Sequence, residues 1–225
     1  MARKRFHLSL YVSAGIISFI IFISGVFVGV LVNEIKARSI EEGSKDVSGM
    51  LKDFETQLLL LDLFPSNSTC QLYEVQLRRL SGELGILEEE LKEYENSRRI
   101  DFPEFLKMKE EYNLLLIKYW IFSENMRTKC NSTYLTLLYF YNKECSICND
   151  EGIILTYYKM KLREKLLVFA IDMDLNLTST KALMESFGVE KAPTLVINSQ
   201  KFDGFYDKEG LRELLCSFGY LEEIC

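Results

Sequence analysis

The chain has 225 residues, enough for one compact domain and an additional segment, with 27 Lys and Arg against 33 Asp and Glu and a formal net charge of −6. A predominantly acidic chain without a basic stripe excludes nucleic-acid binding through phosphates and electrostatic docking on anionic lipid.

Residues 1–7 open with Met1-Ala2-Arg3-Lys4-Arg5 and form a short basic tail. An uncharged stretch then runs from Leu8 to Val32. At about 1.5 Å per helical residue it exceeds a hydrocarbon layer of about 30 Å, so it is predicted to be a transmembrane anchor in contact with lipid. A cleaved signal peptide would have a shorter apolar core and a small-residue cleavage site, and the sequence shows neither. The near flank is purely basic, whereas the far flank mixes Glu34, Lys36, Arg38, Glu41 and Glu42. That asymmetry predicts a single-pass cell-membrane protein with a cytoplasmic N-terminus and everything after residue 32 outside. Gly25 and Gly29 form a GxxxG pair that could bring two anchors together as a homodimer, although small residues are common in such spans. Cysteine usage and the Asn-x-Ser/Thr triplets at Asn67, Asn131 and Asn176 agree with an oxidising, extracytoplasmic setting.

Residues 33–132 are predicted to be helical and coiled-coil-like. Three apolar series step by fours and threes: Val47 to Leu61; Tyr73, Leu77, Leu80, Leu84, Leu87, Leu91 and Tyr94; and Phe105, Met108, Tyr112, Leu115, Tyr119, Phe122 and Met126. Such steps keep a stripe on one face, as in helices packed lengthwise. Breaks are expected at Pro65-Ser66-Asn67-Ser68 and Asn96-Ser97-Arg98-Arg99, and Asp101, Pro103 and Glu104 have the chemistry of a helix start. Gly82 and Gly85 each weaken a helix by up to ~1 kcal/mol relative to Ala, which argues against continuity there. A turn near residue 100 makes the second and third helices an antiparallel hairpin. Cys70 and Cys130 are equidistant from that turn, so they would meet at the open end as a disulfide; two buried free thiols are the alternative. The hairpin would serve as a spacer or a dimer seam.

Residues 133–225 change character. Tyr134 to Tyr141 is an apolar, β-prone run, followed at once by Cys145-Ser146-Ile147-Cys148 where a helix is expected to begin. Thiols three positions apart at a helix start lie within disulfide reach, and the unpaired N–H groups and dipole there stabilise a thiolate. Lys143 adds to that effect and Glu144 opposes it. Leu166 to Ile171, ended by Asp172, suits a parallel strand buried on both faces. Thr178 to Phe187 is a short helix stopped by Gly188. Lys191-Ala192-Pro193-Thr194 opens a strand to Ile197. Asn198-Ser199-Gln200 is then a predicted turn, Lys201 to Tyr206 a strand, and Lys208 to Cys216 a helix.

Strand, CxxC, helix, strand, helix, then Ala-Pro-Thr opening a strand is an α/β order, β-α-β-α-β-β-α. From Thr133 to Cys225 the chain resembles the thioredoxin-like superfamily in its minimal form, lacking the N-terminal strand and helix that many members carry. The resemblance implies that Cys145 attacks a substrate disulfide and Cys148 resolves the mixed disulfide. It also implies that Pro193 is cis and faces the pair, and that Ala192 offers backbone hydrogen bonds to a bound peptide. The departures are a Glu144 where Trp is usual, a Ser-Ile dipeptide inside the motif, and Tyr139 at the strand position where thioredoxins bury an acid. The implied function is a membrane-anchored thiol-disulfide oxidoreductase with no cofactor. Its partners would be protein thiols and disulfides, together with a membrane redox partner, either a quinone-linked oxidase or an electron-carrying reductase.

Two other classes stay open. One is a non-catalytic interaction module in which Cys145–Cys148 is a structural staple. The other is a metal carrier, although zinc asks for four ligands, no second CxxC exists, and His7, the single histidine, would lie across the membrane. Without a usable histidine, Ser–His and Cys–His hydrolysis is excluded. Cys216 and Cys225 are expected to pair around Phe218-Gly219; the alternatives are an intermolecular bridge or an electron relay through Cys225.

Overall fold

The computed structural model describes residues 15–27, 66–96, 102–219 and 221–225. Residues 15–27 form a helix, α1, with every side chain exposed. Among the described residues no helix is long and apolar enough to cross a membrane. The remainder of the 8–32 span and the Val47 to Leu61 series lie outside the described residues. Residues 1–63 and 64–225 are separate compact units, and the second carries the rest of the architecture.

That unit begins with a hairpin of two long helices, α2 (Ser66–Asn96) and α3 (Phe102–Lys129). In α2 the expected stripe is the buried one, with Tyr73, Leu80, Leu84 and Leu91 all at or below 9% exposure. The helix continues through Gly82 and Gly85, because the apolar stripe packed against α3 outweighs their local cost. Ser66-Asn67-Ser68, expected as a break, is instead the first turn of α2. Ser and Asn suit helix starts as well as loops.

In α3 burial is wider than its predicted stripe: Asn113, Leu116, Ile117 and Ser123 are buried along with Leu115 and Phe122. The reason is that α3 touches two partners, α2 on one side and the α/β layer on the other. Cys70 and Cys130 are disulfide-bonded across the hairpin's open end, with Cα atoms 5.8 Å apart.

The α/β layer follows in the order β1 (Leu135–Tyr141), α4 (Cys148–Leu162), a 3₁₀ turn (Arg163–Lys165), β2 (Leu166–Asp172), α5 (Thr178–Phe187), β3 (Thr194–Ile197), β4 (Gln200–Asp203) and α6 (Lys208–Cys216). The four-stranded sheet has the order β2-β1-β3-β4. β2 runs parallel to β1, with Leu135 opposite Leu166, while β3 is antiparallel to β1 and β4 to β3. This mixed sheet, with one parallel crossover and a closing hairpin, is a thioredoxin-like topology.

Alternation along β1 divides its side chains between two cores. Leu135, Leu137 and Tyr139 join Leu155, Tyr158 and Leu162 of α4 and Leu211 and Leu215 of α6 in one cluster. The opposite face meets α3 and α5. There the Tyr119 and Phe169 rings pack edge-on at 5.5 Å, and Trp120 and Phe187 at 5.9 Å. Asn113 ties this side together: its Nδ2 donates to Thr180 Oγ1 at 2.9 Å, and its Oδ1 accepts from the Asp172 N–H at 3.1 Å. Lys109 pairs with Asp172 at 2.8 Å. α3 therefore occupies the face of the sheet shared with α5.

Two expectations about strands are corrected. β2 is an edge strand, and Leu167, Val168 and Ala170 are only half-buried, because one of its sides lacks a pairing neighbour. β4 is Gln200–Asp203 and not Lys201 to Tyr206. Asn198 and Ser199 form a two-residue turn with φ of 46° and 70°, which draws Gln200 into the ladder, and Gly204 at φ 92° ends the strand. Beyond α6, Gly219 turns the chain at φ 77°. Cys216 and Cys225 are disulfide-bonded there with Cα atoms 5.6 Å apart, and Leu221 and Ile224 are buried.

Candidate functional site

The site forms where β1 ends. Asn142 receives the Cys145 N–H twice, on its side-chain Oδ1 at 3.0 Å and its carbonyl at 3.4 Å. The Lys143 N–H donates to Asp174 Oδ2 at 2.8 Å, tying this turn to the loop after β2. Cys148 then donates to the Cys145 carbonyl at 3.3 Å and is the first residue of α4. Cys145 thus precedes the helix and Cys148 opens it, so the helix begins about one turn later than expected. The displacement arises because the tight turns at 143–147 consume the residues between strand and helix.

Cys145 and Cys148 are disulfide-bonded, with Cα atoms 5.4 Å apart. Cys145 is half-buried, whereas Cys148 is 6% exposed. Such a pair is chemically unequal: an incoming thiol can reach one sulfur and not the other.

Ala192-Pro193 is a cis peptide, and Pro193 is buried. The Pro193 carbonyl accepts from the Gly204 N–H at 3.0 Å, and Thr194 Oγ1 donates to the Lys191 carbonyl at 2.8 Å, so this loop is held from both sides. Ala192 and Cys145 pack against the same apolar cluster.

Two buried groups, Tyr139 of β1 and Glu151 in the first turn of α4, have surroundings that the sequence did not disclose. The Tyr139 hydroxyl donates to the Cys148 carbonyl at 2.6 Å, anchoring the first turn of α4 to the sheet. Burial, then the proximity of Glu151, pushes its phenol well above the usual tyrosine range, so it stays a donor. Glu151 is fully buried. Its Oε1 accepts from the Tyr206 N–H at 3.0 Å, while Oε2 is buried with no hydrogen-bond partner among the described residues. Burial raises its carboxyl to about 7, against the smaller opposing effect of the Tyr206 N–H. A signal was present: Cys148, Glu151, Leu155, Tyr158 and Leu162 step by threes and fours, which sets an acid inside an apolar stripe.

A carboxyl with a raised pKa binds its proton in the folded state over a pH range where the unfolded chain has released it. The contribution of Glu151 to stability is therefore fully present below the ordinary carboxylate range and is lost as pH climbs toward about 7. Urea midpoints of the oxidised protein are expected to fall over that interval, and Glu151→Gln, which cannot ionise, to remove that part of the slope. A slope identical in both proteins would show that Glu151 is ionised throughout.

A cleft of about 710 Å³ opens beside the disulfide. Tyr141, Lys143, Cys145 and Cys148 line it together with Val168 and Ala170 of β2 and Ile153 and Lys159 of α4. The hairpin contributes Glu88, Tyr112 and Leu116. Burial, then the nearby Glu88 carboxylate, pushes the Tyr112 phenol to about 12. The cleft thus presents apolar surface and neutral phenols, with the charged Glu88, Lys143 and Lys159, beside the Cys145–Cys148 pair. Among the described residues no group of three or more His, Cys, Asp or Glu is placed to hold a metal ion.

No protein-family model and no curated protein matches the chain. Several solved structures are similar to part of it. A malarial protein is 20% identical, aligns over 38% of this chain and 98% of its own, and gives a TM-score of 0.34. A mutant thioredoxin from Halobacterium salinarum NRC-1 is 26% identical over 37% of this chain and 74% of its own, with a TM-score of 0.31. Thioredoxin-2, described as a component of the malaria parasite protein secretion machinery, is 21% identical over 37% of this chain and 82% of its own, with a TM-score of 0.33.

Proposed function

We propose that this thioredoxin-fold protein is a membrane-anchored thiol-disulfide oxidoreductase acting on extracytoplasmic protein thiols and disulfides. The observation that carries the reading is the inequality of the pair: Cys145 half-buried ahead of α4, Cys148 shielded at its first residue. In the reduced protein the Cys145 thiolate attacks a substrate disulfide, forms a mixed disulfide and expels one substrate thiolate. Cys148 then attacks the Cys145 sulfur, expels the second substrate thiolate and closes the Cys145–Cys148 bond. Two electrons pass from the protein to the substrate; run backward, the same steps oxidise a substrate dithiol.

The substrate segment would lie extended beside Ala192 and Pro193. A membrane redox partner, a quinone-linked oxidase or an electron-carrying reductase, would reset the pair. The apolar run 8–32 supports anchoring with the N-terminus in the cytoplasm. All six cysteines are paired, which suits an oxidising compartment.

The second reading is a binding module in which the Cys145–Cys148 bond is a staple; the packing of both sulfur-bearing residues against the core cluster is what favours it. The two readings separate in a redox titration. The full chain in detergent is equilibrated across graded thiol–disulfide buffers, free thiols are trapped by alkylation, and each cysteine is quantified by mass spectrometry. We expect Cys145 and Cys148 to titrate together and reversibly, at a less reducing potential than the other four. If that pair opens only when the fold is lost, the protein is a binding module.

A further inference from the structure

We infer that Asn131 is the acceptor of an N-linked glycan, because of the three Asn-x-Ser/Thr triplets in the chain its triplet is the one the fold presents intact. The inference rests on the extracytoplasmic placement in the reading above and concerns a surface remote from the Cys145–Cys148 pair. Transfer to asparagine needs such a triplet, with x other than Pro, on an accessible surface segment. The transferring enzyme must reach the side-chain amide and the Ser or Thr hydroxyl together, so both have to stand clear of the fold.

Asn67 lies in the first turn of α2, and Thr69, which carries the hydroxyl of that triplet, is 4% exposed. Asn176 is exposed, but its Oδ1 accepts from Lys181 Nζ at 2.5 Å. Its triplet is also wound into the start of α5. The Leu177 N–H donates to the Leu175 carbonyl at 2.8 Å, and the Leu177 carbonyl accepts from the Lys181 N–H at 3.1 Å. Asn131 differs on each count. Its triplet lies in the segment joining α3 to β1, which has no regular structure. Asn131 and Thr133 are both exposed. Among the described residues neither side chain makes a hydrogen bond, and no backbone N–H of 131–133 is engaged.

Asn131 has a φ of 57°, a left-handed conformation that asparagine adopts more readily than most residues. A helix end accounts for asparagine at such a position, but it asks nothing of the residue two places on. An exposed threonine there, without a partner inside the fold, is what the acceptor chemistry requires. The preceding Cys130 is bonded to Cys70, so the acceptor is held at the open end of the hairpin. The Cys145–Cys148 pair lies beyond the far end of β1, about 20 Å of strand away at ~3.3 Å per residue. A hydrated glycan on Asn131 therefore covers the hairpin's open end and leaves the approach to Cys145 clear.

The donor is a glycan joined through its C1 to a lipid phosphate. The bond from Asn131 Nδ2 to C1 forms and the C1–O bond breaks. The electron pair of that bond leaves with the lipid phosphate, and the amide proton passes to a base of the transferase. Nothing is oxidised or reduced.

The test uses the full chain, purified in detergent from the membranes of cells that make it, with an Asn-Gly-Thr triplet on a flexible tail after Cys225 as the internal control. Peptide mass spectrometry is expected to show a glycan on Asn131 and on the appended triplet, and none on Asn67 or Asn176. Asn131→Asp, which tolerates the left-handed conformation, and Thr133→Ala are each expected to lose the Asn131 glycan and to run faster by one step on electrophoresis. Thr133→Ser is expected to keep it.

An unmodified Asn131 beside a modified appended triplet overturns the inference and leaves the outside placement standing. A glycan on Asn67 or Asn176 in place of Asn131 overturns it as well. If neither Asn131 nor the appended triplet is modified, the inference falls, and protease added outside intact cells decides the placement. Cleavage of the domain keeps it outside, whereas protection overturns that reading too.

Discussion

Cys145→Ser is expected to abolish exchange with protein disulfides, whereas Cys148→Ser is expected to accumulate mixed disulfides through Cys145. The difference follows from burial and position. Cys145 is half-buried in the turn ahead of α4, and its N–H is held by Asn142 at 3.0 Å, so its sulfur is both presented and fixed. Removing it leaves Cys148, which at 6% exposure offers no approach to a protein-sized substrate. A serine hydroxyl in place of Cys145 is no substitute, because at neutral pH it supplies almost none of the ionised nucleophile that a thiol does.

Removing Cys148 has another outcome: attack proceeds, the mixed disulfide forms, and the internal thiol that would release it is gone. Non-reducing electrophoresis of each full-length variant, incubated with a disulfide-bonded test protein, distinguishes the two by a high-mass band that reductant collapses. Equal activity in both variants would mean that neither sulfur turns over. A trapped complex in Cys145→Ser instead would reverse the order of attack.

Breaking the hairpin crosslink with Cys70→Ala and Cys130→Ala is expected to lower stability by roughly 4 kcal/mol, the loop-entropy value for a closure of 60 residues. That is a large fraction of the stability of an ordinary domain, about 5–15 kcal/mol. The effect should fall mainly on stability. Cys130 lies near the start of β1 and the Cys145–Cys148 pair beyond its end, so about 20 Å of strand intervenes at ~3.3 Å per residue. At such separations perturbations add with little coupling. Urea unfolding of the double variant, paired with a redox titration of Cys145 and Cys148, checks both halves. A loss below about 1 kcal/mol would mean that the α2–α3 packing alone holds the open end closed. A displaced Cys145–Cys148 potential would mean that the hairpin reaches the site through the sheet.

The hairpin matters to the site in another way. It supplies Glu88, Tyr112 and Leu116 to the wall of the cleft, whose other lining includes Val168 and Ala170 of the edge strand β2. In the sequence Tyr112 belongs to a heptad-like stripe, Glu88 and Leu116 fall outside the stripes, and β2 is an apolar run, so nothing local joins them.

Much of the fold could nonetheless be inferred from local pattern. Continuous apolar runs against a helical step, with Gly188 and the Asn198-Ser199-Gln200 turn as punctuation, locate β1, β2, α5, β3 and α6 within a residue or so. Local pattern fails where energies are close. Gly82 and Gly85 suggest a weak helix, yet α2 runs through them, since burial along a long stripe exceeds ~1 kcal/mol at each glycine. Burial of β2 on both faces was expected from its composition, yet its edge position leaves Val168 and Ala170 half-covered. Composition reports what a side chain tolerates, whereas burial depends on which neighbours arrive.

The candidate site divides along the same line. The spacing of Cys145 and Cys148, the apolar strand before them, and the Ala192-Pro193 pair before another strand are written in the sequence, because disulfide reach and strand-to-helix turns are local properties. That Tyr139 anchors the Cys148 carbonyl, that Cys148 opens α4, and that Glu151 is enclosed with one oxygen unmatched required the tertiary structure. The covalent order of the chain determines which reactive groups sit within a turn of one another. Water exclusion and the charge state that follows from it arise only when β1, α4 and the Tyr206 loop close together, since desolvation is a property of the assembled surroundings and not of any residue alone.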